Sequence, residues 1–497
     1  MNTFLNEMKK ANNVTYTENG GVTRKTTTSA VLDMFGIGGA YRKRSDEDVI
    51  LLFKNAFEEN PLLAMKCLFY LRDVRGGQGE RRFFRVAFRW LCNEHPEVAR
   101  KNLENISEYG RWDDLIYVTE GTCVQNDAFN IIRHQLAIDI QCKTPCILAK
   151  WLPSQNASNK ETRRLGHVLA EFLGMTSRQY RKTLSILRER INVLERLMSA
   201  NRWDEIEFDK IPSKAGLVYR NAFARRDIIA KKYETFAKSK DTKVNAETLY
   251  PHEIAHKAFQ MNAPLTDPNR LMLQKYWDNL KDFYNGREEN GIAVIDVSGS
   301  MYGTPLEAAV SMGAYIADKA HGPFANHFIT FSGHPELVKF EGVDIVDKFK
   351  RCKRADWGMN TNIQAVFDML LNTAMKKGVK PKDMPTRIYI FSDMEFDGCV
   401  SFTDHRPYWS YETVSVNDIN SHLENIKSAW ARHGYKMPQV IFWNLDARKN
   451  HIPAIGEGFS YVSGFSPSMI DCILSGKDGY DLMLEKLMSS RYTAVVV

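Results

Sequence analysis

Two hydrophobic patterns divide the chain. From residue 45 to about residue 285, apolar side chains recur at the three- and four-residue spacing of helices that bury one face, with Pro and Gly between segments. From residue 286 onward, short apolar runs alternate with helical patterns. Residues 1–44 are rich in Thr, Asn and Gly and have no clear period. The pattern predicts a polar N-terminal segment (1–44), an α-helical domain (45–285) and an α/β domain (286–497).

The helical domain is predicted to begin with an N-cap at Ser45, because three acidic residues and an apolar-periodic run follow it. The predicted helical segments are residues 49–57, 61–71, 80–92, 96–107, 113–119, 126–140, 161–173, 177–198 and 219–237. Successive helices of this length indicate a HEAT-like α-solenoid or an irregular helical array. A regular solenoid is not established, because no clean repeat period is present.

The C-terminal domain has the pattern of a doubly wound, Rossmann-like fold. The predicted strands are residues 292–297, 328–331, 388–391, 440–443 and 459–462, and the predicted helices are residues 305–320, 363–375, 416–431 and 466–474. Alternating strands and helices form a parallel or mostly parallel sheet that is covered on both faces. Ligands of such sheets bind at the carboxyl ends of the strands.

Oxygen-bearing side chains stand at that predicted edge. Asp296, Ser298 and Ser300 leave the first strand, and Asp393 follows the strand at residues 388–391. Thr361 lies in a glycine-containing loop that leads into the next helix. Hard oxygen donors suit Mg²⁺ or Mn²⁺, of which Mg²⁺ is expected here. Mg²⁺ takes six oxygens at about 2.1 Å, so water or a partner must supply the remaining ligands.

The order Asp-x-Ser-x-Ser, then Thr, then Asp resembles the metal-ion-dependent adhesion site of von Willebrand factor A domains. The resemblance covers residues 286–497, and all five positions match. It implies a cation that takes its last ligand from an acidic partner, which means recognition rather than catalysis. One departure is that Asp393 is followed by Glu395 and Asp397. These carboxylates are expected to alter the ion preference or to compete with an acidic ligand.

The positive charge is concentrated in the helical part. Residues 1–285 hold 45 Lys and Arg against 35 Asp and Glu, a net +10, whereas the remainder holds 22 against 25, a net −3. Residues 151–240 alone hold 19 against 10, a net +9. A localised basic field favours polyanions, and the alternative is a solvated basic face with no partner.

The candidate RNA contacts lie on or near the predicted helix at residues 177–198. They are Arg163, Arg164, Arg178, Arg181, Lys182, Arg188, Lys214 and Arg220. Arg and Lys neutralise phosphates without reading bases, so no DNA specificity is expected. Tyr180, in the same helix, either stacks on an unpaired base or belongs to the core.

A helical array followed by a von Willebrand A domain resembles the Ro/TROVE ribonucleoproteins. In that family the helical repeats form a ring that binds non-coding and misfolded RNA. The sequences LRDVRGGQGER from residue 71, YGRWDDL from residue 109 and FSDMEFD from residue 391 are more similar still to an uncharacterised family with the same layout. That family occurs in plants, amoebae, giant viruses, and bacteria with their phages. No Ro RNA-binding residue can be carried over position by position. In the first of these sequences, the arginines are expected to pair with Asp73 and Glu80 at a tight turn between helices.

These observations favour a non-enzymatic RNA-binding scaffold whose metal site docks an acidic partner. A protein-interaction module that uses the metal site without RNA is the main alternative. A metal-dependent nuclease is the third hypothesis, although the five oxygen donors include no general base, so no catalytic residue is expected.

The remaining features of the sequence predict a cytoplasmic protein without a membrane partner. The N-terminus has no signal-peptide pattern, and no run approaches the roughly 20 apolar residues of a membrane span. The cysteines are scattered, which predicts reduced thiols and argues against zinc.

Overall fold

The computed structural model describes residues 12–331, 335–352, 362–396 and 419–497. The chain forms two compact units that alternate along the sequence. The α/β unit consists of Met1–Cys67, Tyr250–Asn262 and Leu280–Ser489. The helical unit consists of Leu68–Leu249, Ala263–Asn279 and Ser490–Val497. This division differs from the boundaries expected at residues 45 and 286, because the first 67 residues cluster with the C-terminal sheet.

The fold is mostly helical, with a C-terminal mixed sheet. The helix Pro61–Arg72 crosses the boundary between the units. The helical unit then contains Arg81–Glu94, Pro96–Asn102, Asn105–Tyr109, Trp112–Thr119, Gln125–Gln141, Leu148–Trp151, Lys160–Phe172, Ser177–Arg190, Leu194–Ser199, Ser213–Arg225, Asp227–Lys238 and Pro268–Asp278. Three segments predicted as single helices each consist of two helices in the structure, so these predictions were wrong in that respect. The segments are residues 96–107, 177–198 and 219–237. In the second case Asn192, with φ of 48°, interrupts the helix.

The α/β unit contains a two-stranded hairpin and a six-stranded sheet. Its strands are β1 (Val14–Tyr16), β2 (Val22–Arg24), β3 (Gly291–Asp296), β4 (His327–Phe331), β5 (Leu337–Lys339), β6 (Arg387–Ser392), β7 (Gln439–Asn444) and β8 (Phe459–Ser463). The order in the large sheet is β5-β4-β3-β6-β7-β8, and every neighbouring pair is parallel except β4 with β5. The five predicted strands are therefore present, and the antiparallel edge strand β5 is the addition.

The helices of the α/β unit match most of the predicted segments. They are Ala30–Ile37, Asp46–Glu59, Pro251–Gln260, Thr304–Lys319, Ile345–Cys352, Ile363–Lys377, Ile419–Arg432, Ile470–Ile473 and Gly479–Leu487. Ser45 is the N-cap of the second of these, since its side chain accepts a hydrogen bond from the Asp48 N–H.

The N-terminal segment contains secondary structure and packs against the large sheet. Its helix Ala30–Ile37 is buried along nearly its whole length, so its sequence has no amphipathic period. A Cβ at Gly36 would lie 2.9 Å from Cβ of Tyr461 on β8, which shows how closely this helix approaches the strand. The Gly39 N–H donates to Ser463 Oγ at 2.9 Å. Gly36 and Gly39 therefore serve close packing.

The two faces of the sheet are covered by different parts of the chain. Helix Thr304–Lys319 packs on the face that carries Ile295, because a Cβ at Gly313 would lie 2.3 Å from Ile295 Cδ1. The register aligns Val294, Ile390, Phe442 and Tyr461 across neighbouring strands, so these residues share the opposite face. That face receives the N-terminal helix, as its approach to Tyr461 shows.

A buried ion-pair network stabilises the helical unit. The guanidinium of Arg72 donates from Nε and Nη2 to Asp114 Oδ2, at 2.9 and 2.6 Å, and Arg85 Nε donates to Oδ1 at 2.7 Å. Burial alone would raise the pKa of Asp114, but the two guanidinium groups hold it below its ordinary value. Asp73 pairs with Arg491 in the same way. Arg72 and Asp73 thus have a structural role, although Arg72 pairs with Asp114 and Asp73 with Arg491, rather than with each other.

Among the helices of the described ranges, none combines the length and apolar character needed to cross a membrane.

Candidate functional site

The candidate metal site lies where the direction of strand addition reverses. From β3 the chain adds β4 on one side and later β6 on the other, so the carboxyl ends of β3 and β6 form the switch point of the sheet. Asp296 ends β3, and Asp393 directly follows β6. Ligands of doubly wound sheets bind in the crevice at such a point.

Asp296 is fully buried and is held in place by two hydrogen bonds. Ser392 Oγ donates to its Oδ2 at 2.6 Å, and the Ser298 N–H donates to its Oδ1 at 2.9 Å. Burial, followed by the nearby charge of Asp393, raises the pKa of Asp296 to about 6. Ser298 and Ser300 complete the loop, with their hydroxyl oxygens 2.8 Å apart.

Asp393 has one carboxylate oxygen with a donor and one without. Its Oδ1 accepts the Glu395 N–H at 3.2 Å, while Oδ2 accepts no hydrogen bond from the described residues. Burial raises the pKa of Asp393 and the Glu395 carboxylate adds to this effect, although the Ser300 hydroxyl, the Glu395 N–H and the Arg448 guanidinium oppose it. Met394 is left-handed, with φ of 67°, and its N–H donates to Ser392 Oγ. This costly backbone conformation for a non-glycine residue helps to orient the carboxylates at the sheet edge.

The donors fit a hard divalent cation. The charge of Asp393 raises the pKa of the buried Asp296 carboxyl, and a cation near both carboxylates would relieve that repulsion. Within the described ranges no group of three or more His, Cys, Asp or Glu is arranged as a metal site, so a cation here depends on the serine hydroxyls and water. The structure brings Asp296, Ser298, Ser300 and Asp393 to one sheet edge. The fifth predicted ligand, Thr361, lies outside the described residues.

The sequence interpretation missed the residues that border this site. Arg448 follows β7, and its Nη2 donates to the Ser300 carbonyl at 2.9 Å while its Nε lies 4.0 Å from Asp393 Oδ2. Burial alone would raise the pKa of Glu395, but the imidazole of His451 and the Glu18 N–H hold it below its ordinary value. Glu395 is thus engaged by other parts of the chain. The sequence did offer a signal, namely the predicted strand at residues 440–443. The carboxyl ends of parallel strands share one sheet edge, so the residues that follow this strand also lie at that edge.

The basic helix Ser177–Arg190 presents a charged face to solvent. Arg178, Arg181 and Lys182 are exposed and lie three and four residues apart, so they share one side of the helix. None of the three forms an ion pair with a described residue; Arg181 Nη1 donates to Asn156 Oδ1 at 3.4 Å. Their charges are available to an anionic partner.

The other candidate RNA contacts are more varied. Arg164 pairs with Glu120 and Glu161, and Arg163 donates to the carbonyls of residues 157 and 158. Lys214 is exposed. Arg188 donates to the carbonyls of residues 149 and 152, while Arg220 is buried and donates to the carbonyl of residue 217. Arg188 and Arg220 are therefore corrected to structural residues, because their guanidinium groups satisfy the protein's own carbonyls.

Tyr180 belongs to the core. It is fully buried, and its hydroxyl donates to the Pro153 carbonyl at 2.9 Å. The hypothesis that it stacks on a base is therefore wrong, and the alternative of a core residue is confirmed.

Two models of domains of unknown function match different parts of the chain. The family model described as domain of unknown function DUF7788 matches residues 290–491, which include the candidate metal site. The model DUF2828, also described as a domain of unknown function, matches residues 17–133 and 141–295. An uncharacterised protein of Acanthamoeba polyphaga mimivirus is 30% identical over 512 residues, covering 94% of this chain and 85% of the viral protein. Because the DUF2828 model matches more than half of the sequence, the protein belongs to the DUF2828 family.

Proposed function

We propose that this chain is a non-enzymatic binding protein whose α/β unit holds a divalent cation and docks an acidic ligand on it. The proposed cation is Mg²⁺ in preference to Mn²⁺, and the proposed ligands are Asp296, Ser298, Ser300, Thr361 and Asp393. The observation that carries the proposal is the pair of buried carboxylates at the switch point, one of which has an oxygen without a hydrogen-bond donor.

The donor set favours recognition over catalysis. Two carboxylates and neutral hydroxyls leave positive charge on a bound divalent cation, so an anionic oxygen from outside completes the coordination well. The strand order and the five-position motif support a von Willebrand A-like domain. A bound cation would supply Lewis-acid attraction for that oxygen, and the chain's own residues would orient it.

The direct test is calorimetric titration of the full-length protein with Mg²⁺ and with Mn²⁺. We expect the wild type to bind one cation and Asp296→Asn to lose at least tenfold in affinity, because the most buried ligand becomes neutral. Asp446→Asn is the matched control, since Asp446 is a buried carboxylate two residues after β7 that is already paired with Lys43 at 2.5 Å. Equal cation binding by the wild type and Asp296→Asn would refute the metal site.

A second candidate function, RNA binding by the helical unit, is favoured by the exposed face of Arg178, Arg181 and Lys182. The unit would then be a TROVE-like, HEAT-like scaffold of a ribonucleoprotein, consistent with the +9 charge of residues 151–240. Phosphate contacts make binding weaken steeply with salt, by a slope of about 0.7 per phosphate for single strands. Replacing all three residues by Gln should therefore lower the slope of log K against log salt by roughly 2.

The control for this experiment carries the same loss of charge elsewhere. Lys376, Lys377 and Lys380 are exposed in the α/β unit, and their replacement by Gln should leave the salt slope unchanged. Fluorescence anisotropy with a labelled single-stranded RNA and with a hairpin RNA, at 50–300 mM salt, measures both slopes. Absence of salt-dependent binding by the wild type would refute the RNA hypothesis and leave the metal-site proposal standing.

A further inference from the structure

The loop after β7 places a guanidinium beside two of the proposed metal ligands. Because β7 is the neighbour of β6, Arg448 reaches the edge at which Asp393 lies. Its Nη2 donates to the Ser300 carbonyl at 2.9 Å, and its Nε is 4.0 Å from Asp393 Oδ2. The side chain remains 37% exposed, so its remaining donors are accessible to a ligand from solution.

In the free protein the turn of the N-terminal hairpin supplies a second anion for this guanidinium, beside Asp393. Arg448 Nη1 donates to Glu18 Oε2 at 3.2 Å. The turn is fixed on the segment after Asp393 by three further bonds. Thr17 Oγ1 donates to the Phe396 carbonyl at 2.6 Å, the Glu18 N–H donates to Glu395 Oε2 at 2.7 Å, and Asn19 Nδ2 donates to the Glu395 carbonyl at 2.7 Å.

This arrangement has a consequence for any anion that binds the cation. A divalent cation near Asp393 and the guanidinium of Arg448 are like charges, so a further anion that lies against both lowers the energy of their repulsion. A carboxylate has two oxygens and can place one on the cation and the other on the guanidinium. The Glu18 carboxylate already holds the position on the guanidinium.

We propose that Arg448 is the second recognition residue for the acidic ligand and that Glu18 is its internal competitor. This inference rests on the proposed cation site. The ligand is a carboxylate of an acidic side chain, which binds the cation through one oxygen and Arg448 through the other. The ligand displaces Glu18 from Arg448, and the three other bonds of the turn keep the hairpin attached.

The test uses the full-length protein, Mn²⁺ as the cation probe and N-acetylglutamate α-amide as the carboxylate probe. In the presence of Mn²⁺, Glu18→Gln should bind the carboxylate probe about tenfold more tightly, because the competitor is neutral. Arg448→Gln should bind it about tenfold more weakly, because one charge-assisted hydrogen bond is lost. The glutamine analogue of the probe should bind to none of the variants.

The affinity for Mn²⁺ alone, measured by the electron paramagnetic resonance signal of the free ion, should change in the opposite sense. Arg448→Gln removes a like charge and tightens Mn²⁺ binding, whereas Glu18→Gln leaves that charge uncompensated and weakens it. Arg448→Lys keeps the charge without the planar fork, so it should bind Mn²⁺ as the wild type does and the carboxylate weakly. Lys449→Gln removes the same charge from the adjacent side chain and should change neither affinity.

The results distinguish a failure of the roles of Arg448 and Glu18 from a failure of the cation site. If each of the Glu18 and Arg448 variants changes its affinity for Mn²⁺ and its affinity for the carboxylate probe in the same direction, the pair only fixes the hairpin. The inference is then overturned, while the cation site stands. If the wild type binds no Mn²⁺, both the cation site and the inference are lost. Circular dichroism and thermal unfolding of each variant establish that it is folded.

Discussion

Replacing Asp296 by Asn should stabilise the cation-free protein, although it removes the central residue of the proposed site. Asp296 is fully buried, and burial and the charge of Asp393 raise its pKa to about 6 from an ordinary value of 3.8. At neutral pH the folded protein therefore holds a carboxylate that the fold disfavours. The unfolded chain hydrates the same carboxylate without that cost.

The expected gain follows from the pKa and the hydrogen bonds. A shift of about two units corresponds to about 3 kcal/mol of free energy. An Asn side chain can still accept from the Ser298 N–H, but its amide would face Ser392 Oγ, which now donates to Asp296. Losing that bond costs about 1 kcal/mol, so the net gain is about 2 kcal/mol. In the wild type, Mg²⁺ at 100 times its dissociation constant adds about 2.7 kcal/mol, which the variant cannot recover.

The pH dependence has a definite sign. Well below pH 3.8 the Asp296 carboxyl is protonated in both the folded and the unfolded protein, so the electrostatic penalty is absent and only the lost Ser392 hydrogen bond, about 1 kcal/mol, separates the variant from the wild type. The penalty on the wild type grows between the ordinary pKa of 3.8 and the raised pKa of about 6. It is complete above that range, so the variant's advantage should be largest at pH 7–8.

Thermal unfolding in EDTA and in excess Mg²⁺, at pH 4 and pH 8, measures this difference. For a unit of this size 1 kcal/mol corresponds to somewhat less than about 2 °C, so the variant should unfold roughly 3 °C above the wild type in EDTA at pH 8, and Mg²⁺ should raise the Tm of the wild type only. Asp446→Asn serves again as the control, because its carboxylate is already paired with Lys43. A variant that is less stable than the wild type in EDTA at pH 8 would refute the electrostatic reasoning.

Two further predictions concern the helical unit. Asp114→Ala leaves the guanidinium of Arg72 buried without its partner and should lower the free energy of unfolding in urea by about 3–5 kcal/mol. Glu161→Ala breaks an exposed pair and should lower it by less than about 1 kcal/mol. Similar losses for the two variants would contradict the role of burial. Gly77→Ala places a Cβ 1.9 Å from the Tyr70 carbonyl oxygen, so the backbone must shift, and we expect a loss of at least about 2 kcal/mol by the same measurement. A variant with unchanged stability would show that this turn has room.

The C-terminal sheet could be predicted from the sequence because its strands are buried on both faces. Such strands appear as short, continuous apolar runs, and each predicted run is a strand in the structure. Strand β5 was missed because it is a three-residue edge strand with two exposed positions. The placement of Asp296 and Asp393 at one edge followed from the parallel direction alone, which requires no knowledge of side-chain contacts.

The border of the site could not be predicted in the same way. Arg448 and Glu18 are 430 positions apart, and neither stands in a recognisable motif. Their meeting depends on the N-terminal segment, whose helix lacks a period because it is buried on all sides. The spacing of apolar residues identifies helices that bury one face and expose the other to solvent, so it fails for this helix. In the helical unit, charge patterning located the basic face but could not tell Arg178, which is exposed, from Arg220, which is buried.

The boundary near residue 290 therefore separates family matches but not compact units. A fragment that began at residue 286 would lack helix Ala30–Ile37, which packs on the sheet face of Phe442 and Tyr461. It would expose that apolar face to water at about 25 cal/mol per Å², and it would leave Arg448 without Glu18. Failure of such a fragment to fold or to bind a cation would consequently say nothing about Asp296, whereas the same failure in the full-length protein would.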